Sequence, residues 1–121
     1  MQDRNRVNKV VIKKILEYCD RIENFINRFG PTFKDYCNDE AFQFSCSACI
    51  IQIGELTNQF SDDFKANHTE IPWHKIKGLR NLHVHEYEKV KPNKMWEILT
   101  EDVPNLKTQL TKILSAEAES K

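Results

Sequence analysis

The chain has 121 residues, with 18 lysines and arginines balanced by 18 aspartates and glutamates. This length supports one domain with its own hydrophobic core and is too short for two. Zero formal net charge disfavours a protein that coats long nucleic acids, because such proteins are clearly basic. No apolar stretch approaches the roughly 18 residues of a membrane span, and no signal-peptide core is visible, so we expect a cytoplasmic protein without a membrane anchor.

Hydrophobic residues recur every three or four positions along nearly the whole chain, which is the spacing of amphipathic helices. The first long helix has this apolar face: Val7, Val11, Ile15, Tyr18, Ile22, Phe25 and Phe29. Gly30-Pro31 ends this helix, since glycine favours a left-handed cap and proline cannot continue the helix.

Three capping signals follow the first helix. Thr32 to Asp35 predicts a short capped turn, Asn38 or Asp39 caps a second long helix, and Ser61 starts another capped turn. The second long helix has these residues on its predicted apolar side: Ala41, Phe42, Ser45, Ala48, Cys49, Gln52 and Leu56.

The second half of the chain predicts three more helical segments. Pro72-Trp73 opens one that continues through Tyr87, because proline suits the first turn of a helix. A short helix follows Lys91-Pro92-Asn93, Pro104 starts the last helix, and residues 115–121 form a frayed tail. No segment alternates as a strand does, so we predict an all-α up-and-down helical bundle over residues 1–121.

Candidate catalytic residues crowd into the motif segment, Lys77 to Tyr87. Arg80 carries a permanent planar cation that suits a phosphate, and His83 and His85 can both give and take a proton near neutral pH. An arginine and a histidine are the minimum needed to cleave a phosphodiester by proton transfer without a metal.

The spacing alone does not decide which histidine works with Arg80. On a regular helix, at ~100° per residue, His83 and Tyr87 lie near the Arg80 side and His85 lies ~140° away. His85 becomes the partner if the helix loosens near Val84, or if His85 faces a site shared between two subunits.

The pattern Arg80-Asn81 followed by His85-Glu86-Tyr87 resembles the signature of the HEPN superfamily, specifically the HepT-like ribonuclease toxins. The surrounding sequence agrees with that resemblance at these segments: Ile53-Gly54-Glu55, Ile71-Pro72-Trp73, Met95-Trp96-Glu97-Ile98 and Val103-Pro104-Asn105-Leu106. His83 departs from the pattern, because such proteins more usually carry an apolar residue there.

The resemblance implies a HEPN-like homodimer in which the two motifs form a composite cleft at the interface. It implies a metal-independent endoribonuclease in which Arg80 and His85 are catalytic. A nucleotidyltransferase-type antitoxin is the implied partner, and Tyr87 is the residue that such a partner can adenylylate. The remaining residues expected to support RNA binding are Lys77, Asn81, His83 and Tyr87.

Two other classes of function remain open on the sequence. One is a non-catalytic module that binds a nucleotide or the partner transferase, with Tyr87 adenylylated by that partner. The other is a helical dimerisation protein. Cys46 and Cys49 have the spacing of zinc and redox sites, but no second pair follows, so we interpret them as packed thiols and expect no metal and no cofactor.

Overall fold

The computed structural model describes residues 2–81 and 91–119, and the side chains within 6–79 and 91–116. Every regular element in these ranges is helical and none is a strand, which confirms the all-α prediction. The helices are α1 (Gln2–Phe29), α2 (Phe33–Cys37), α3 (Glu40–Thr57), α4 (Asp62–Asn67), α5 (Trp73–Lys77), α6 (Pro92–Glu97) and α7 (Val103–Glu119). A 3₁₀ segment, Gly78–Asn81, continues α5, and a π turn, Ile98–Asp102, joins α6 to α7.

Helix α1 buries the face that its sequence predicts, except at its first member. Val11, Ile15 and Ile22 are buried, whereas Val7 is 49% exposed and lies outside the core. The apolar core therefore begins one turn later than predicted, at Val11. Gly30 closes the helix at a φ of 135°, a left-handed conformation that glycine adopts without the strain of a Cβ atom.

The predicted caps are confirmed by the hydrogen bonds of the following helices. Thr32 and Asp35 form a reciprocal capping box on α2. The Asp39 carboxylate accepts from the backbone N–H of Phe42 at the start of α3, and the Ser61 hydroxyl accepts from the backbone N–H of Phe64 in α4. Each cap satisfies a backbone donor that helix geometry leaves without a partner.

Helix α3 is the central helix of the bundle and contacts α1, α2, α5 and the 3₁₀ segment. The apolar side predicted for it is partly wrong, because Ala41, Ala48 and Gln52 are exposed. Its buried positions lie on more than one side: Phe42, Cys46, Ser47, Cys49, Ile50, Ile53, Gly54, Leu56 and Thr57. A helix that packs against several neighbours is apolar nearly all round. Its sequence therefore has no single apolar face from which the buried positions can be predicted.

Helices α6 and α7 form one continuous helical run instead of the two separate helices that Pro104 predicts. Pro104 lies just after the π turn, so its missing N–H falls where the regular α-helical hydrogen bonding is already interrupted. The run extends through Glu119, into the segment for which the sequence predicts a frayed tail. Among the described residues, no helix is long and apolar enough to cross a membrane.

Two glycines offer a matched test of the backbone. A Cβ at Gly30 would overlap the Asp35 side chain, whereas a Cβ at Gly78 meets nothing within 4 Å. Gly30→Ala should therefore lower the free energy of unfolding by about 1–3 kcal/mol. Gly78→Ala should raise it by about 0.4–1 kcal/mol, since it only restricts the unfolded chain. Urea unfolding followed by circular dichroism measures both, and equal midpoints for the two variants would contradict the assigned backbone conformations.

Candidate active site

The structure places Arg80 and Asn81 at the end of the 3₁₀ segment that follows α5. Lys77, in the last turn of α5, is exposed. The side chains of Arg80 and Asn81 are outside the described residues, as are His83, His85 and Tyr87 altogether. The choice between His83 and His85 and the role of Tyr87 therefore stay predictions.

The single regular helix predicted from Trp73 to Tyr87 is wrong at Gly78. The α-helix stops at Lys77, and the chain tightens into 3₁₀ geometry over Gly78–Asn81. Gly78 itself has φ −61° and ψ −25°, which are 3₁₀ angles. Glycine is a poor helix former, and packing against α3 can select the tighter turn here. A 3₁₀ residue turns the chain by about 120°, so steps of 100° do not describe the approach to Arg80.

A cluster of aromatic rings fixes the chain just before the motif segment. Phe60 stacks on Phe64 with ring centroids 4.5 Å apart, and the ring of Trp73 meets Phe60 edge-on at 5.4 Å. The indole N–H of Trp73 donates to the carbonyl oxygens of Lys65 and His68, at 3.1 and 2.9 Å. Trp73 is therefore held by rings and by hydrogen bonds at the start of α5, as expected of a core anchor.

A second aromatic cluster fixes the chain just after the motif segment. Trp96 in α6 lies 5.4 Å from the ring of Tyr36 and 6.1 Å from that of Phe42. Phe42 also stacks on Phe29 at 5.3 Å. This cluster ties α6 to α1, α2 and α3. The two tryptophans of the chain thus flank the motif segment, one on each side.

The lysines around the motif differ in whether they form an ion pair with a described carboxylate. Lys75 lies 3.0 Å from the Asp102 carboxylate, which raises the lysine's pKa by hydrogen bonding and by charge. Lys94 lies 3.9 Å from Glu97. Lys77 and Lys91 are exposed and make no ion pair with a described residue.

A cleft opens between α5 and α7, beside the 3₁₀ segment, and the sequence did not predict it. It encloses about 350 Å³ and is lined by Glu70, Pro72, Lys75, Ile76, Leu79, Asp102, Asn105, Leu106, Thr108 and Gln109. We call it the α5–α7 cleft. Part of its lining, Pro72 on one side and Asn105 with Leu106 on the other, comes from two of the segments that carry the HEPN resemblance.

The Cys46 and Cys49 thiols are buried in the core, together with Cys19. Burial raises the pKa of Cys19 and of Cys46 to about 12 and also raises the pKa of Cys49. Within the described residues, no group of three or more His, Cys, Asp or Glu side chains is placed to hold a metal ion. Packing is therefore the role that the structure supports for this pair.

The sequence matches the family described as "Ribonuclease HepT-like" over residues 15–113, which include the whole motif segment. The chain belongs to this family. A protein of Thermococcus cleftensis named "Probable ribonuclease HepT" is 32% identical over 108 residues, covering 89% of this chain and 96% of that protein. Two proteins named "Putative RNase", from Caldanaerobacter subterraneus subsp. tengcongensis and Methanocaldococcus jannaschii, are each 27% identical over 106 residues. These alignments cover 88% of this chain and, respectively, 93% and 86% of the two proteins. No solved structure matches the chain.

Membership of the HepT-like family confirms the resemblance drawn from the motif. It identifies the chain as a member of a ribonuclease family. It also places Arg80 and His85 inside a matched region that extends from α1 to α7.

Thiol reactivity tests the burial of the cysteine pair. Cys37 is exposed, whereas Cys19, Cys46 and Cys49 are buried, and only an accessible thiolate attacks a disulfide quickly. At about pH 8, we expect one fast-reacting thiol per chain with an aromatic disulfide reagent. The variant Cys37→Ser should remove the fast phase, and unfolding should expose all four thiols counted in the sequence. More than one fast thiol in the folded wild-type chain would count against this packing.

Proposed function

We propose that this chain is an endoribonuclease that cleaves RNA without a metal ion, at a site built from two copies of the chain. The observation that carries the proposal is the motif Arg80-Asn81 and His85-Glu86-Tyr87, which lies inside the region matched to a ribonuclease family. The names of the relatives, all ribonucleases, support the same reaction class.

The proposed reaction uses the nucleophile that RNA carries, its 2′-hydroxyl. Neutral His85 takes the proton from this hydroxyl as the 2′-oxygen attacks the phosphorus. The bond from phosphorus to the 5′-oxygen breaks, and the protonated His85 of the second subunit gives its proton to that leaving oxygen. The products are a 2′,3′-cyclic phosphate and a free 5′-hydroxyl.

Arg80 contributes charge stabilisation to this reaction. Negative charge grows on the phosphate oxygens in the transition state, and a guanidinium can hold two of them at once. Arg80 follows a segment that is held by Trp73 and packs on α3. A fixed backbone of this kind supports catalysis, because a preorganised donor needs no rearrangement during the reaction.

The remaining motif residues have supporting roles in the proposal. Asn81 orients the phosphate, Tyr87 stacks on a base or bonds a phosphate oxygen, and the exposed Lys77 attracts the RNA backbone. We assign His85 rather than His83 as the catalytic base because the family motif places its histidine at the position of His85. His83 supports RNA binding at most.

We further propose that a nucleotidyltransferase-type antitoxin controls the enzyme by adenylylating Tyr87. An adenylyl group would add bulk and negative charge two residues from His85. Both effects weaken RNA binding, since the adenylyl group fills the composite site at the dimer interface and repels the RNA phosphate. In this proposal the chain is the toxin of a toxin–antitoxin pair acting in the cytoplasm.

Alanine variants of the motif test the catalytic roles. Arg80→Ala and His85→Ala should each lower the rate of RNA cleavage by about 10²–10⁴-fold, the usual contribution of one positioned catalytic group. Matched controls are Arg28→Ala in α1 and His74→Ala in α5, both exposed. The assay is cleavage of a labelled RNA in the presence of a chelator, with helicity measured by circular dichroism. Full activity in either motif variant would reject the assignment of that residue.

Mixed dimers test the shared site. When wild-type and His85→Ala chains are mixed equally and exchanged, about a quarter of a random population of symmetric dimers is entirely wild-type. A composite site that needs both histidines should retain about that fraction of the activity. If each subunit has an independent site, the mixture should retain about half of the wild-type activity. A chain that sediments as a monomer at the assay concentration would also contradict the composite site.

A further inference from the structure

The α5–α7 cleft reaches the residue that directly precedes Arg80 in the chain. Leu79 lines the cleft, and the next residue is Arg80, whose Cα is about 3.8 Å further along the chain. This backbone spacing is compatible with a base in the cleft and a phosphate on Arg80 that belong to the same nucleotide or to neighbouring ones.

The composition of the cleft suits a flat, neutral and partly polar group. Four apolar residues, Pro72, Ile76, Leu79 and Leu106, form one part of its lining. Its volume of about 350 Å³ is at the lower end of the range for small-molecule sites, which join apolar walls to a few convergent polar groups.

Asn105 supplies an unused hydrogen-bonding group at this cleft. Gln109, one turn further along α7, already donates through its amide nitrogen to the Glu70 carbonyl oxygen at 2.9 Å, and the Thr108 hydroxyl donates to the Pro104 carbonyl oxygen. The Asn105 amide makes no hydrogen bond with a described residue. An asparagine amide offers two donors and an acceptor side by side, which is the arrangement that can pair with the edge of a nucleobase.

The charges at the cleft favour a base over a phosphate. Its lining has two carboxylates, from Glu70 and Asp102, and one ammonium, from Lys75. Lys75 is already paired with Asp102 at 3.0 Å. A phosphate in the cleft would meet an unfavourable net negative charge, whereas a neutral base would not. The phosphates would stay outside, near Lys77 and Arg80.

We propose that the α5–α7 cleft is a base-specificity subsite of the enzyme and that Asn105 reads the edge of a base next to the cleaved phosphate. This inference rests on the proposed ribonuclease activity and adds its sequence preference. Single-stranded RNA is commonly recognised by splayed-out bases whose edges are hydrogen-bonded in protein pockets. Asn105 is thus a specificity residue and takes no part in the chemical step.

A pool of RNA with randomised sequence tests the subsite. Wild-type enzyme should cut with a base preference at one nucleotide flanking the cleaved bond, mapped by sequencing the product ends. Asn105→Ala should reduce that preference about tenfold, since one good amide–base pair discriminates by roughly that factor or more. The matched control is Asn24→Ala, the same change at an exposed helical position of α1, which should retain the preference.

A second variant distinguishes loss of base recognition from a disturbed fold. Asn105→Asp keeps the shape of the side chain and removes its two donors. It should shift the preference towards a base that presents an amine, such as cytosine. An unchanged preference in both Asn105 variants, with cleavage intact, would overturn the subsite and leave the ribonuclease proposal standing.

Nuclear magnetic resonance tests the cleft without relying on cleavage. The side-chain amide of Asn105, identified by its loss in Asn105→Ala, should shift on titration with at least one of the four ribonucleoside monophosphates, while that of Asn24 stays in place. No shift with any nucleotide or with a short RNA would overturn the inference even in an active enzyme. A shift caused only by a partner protein would overturn it too, because the cleft would then be a protein-docking site. The amide signal of Asn105 could also shift with a nucleotide although no RNA is cut. The ribonuclease proposal and the specificity role would then both fail, and the cleft would be a nucleotide-binding site only.

Discussion

The burial of α3 against α1 on one side and against α5 and the 3₁₀ segment on another is the contact on which the position of the motif depends. Ile50 and Ile53 of α3 are completely buried, and each such side chain stabilises the fold by about 1.5–3 kcal/mol. The segment that leads to Arg80 is short, with five α-helical residues followed by four in 3₁₀ geometry. Helical segments in proteins take most of their stability from packing, and this one contacts α3. Its conformation therefore comes from the surface of α3.

The two aromatic clusters also hold the motif segment in position. Trp73 and Trp96 stand on opposite sides of the motif segment in the sequence, and each is held by rings from other helices. The hydrogen bonds of the Trp73 indole end on backbone carbonyl oxygens, so that anchor does not depend on a flexible side-chain partner. A ribonuclease that works by positioning a guanidinium and an imidazole needs such support, because small misplacements cost much of the rate.

The features of this fold that the sequence predicts are the local ones. The caps at Thr32, Asp39 and Ser61 could be placed because a cap depends on a few neighbouring residues. The buried sides of α3 could not, since a helix packed on several faces lacks a single periodic stripe. The sequence pattern also did not predict the change of helix type at Gly78, which occurs where the chain packs on α3, or the π turn before Val103. For the site, spacing supplied the candidate residues, but only the family resemblance separates His85 from His83.

Different forces stabilise the α5–α7 cleft and attract RNA to the basic residues Lys77 and Arg80. The ion pair of Lys75 with Asp102 is solvent-exposed, with side chains 47% and 30% accessible, and exposed pairs of this kind contribute only about 0–1 kcal/mol. Ile76 and Leu106, which are 6% and 4% exposed, bury apolar area that salt does not screen. Both side chains line the α5–α7 cleft, so its apolar part does not depend on the ion pair. Attraction of RNA by Lys77 and Arg80 would instead weaken as salt rises. In the proposed enzyme, salt would thus change the affinity for RNA while leaving the choice of base nearly constant.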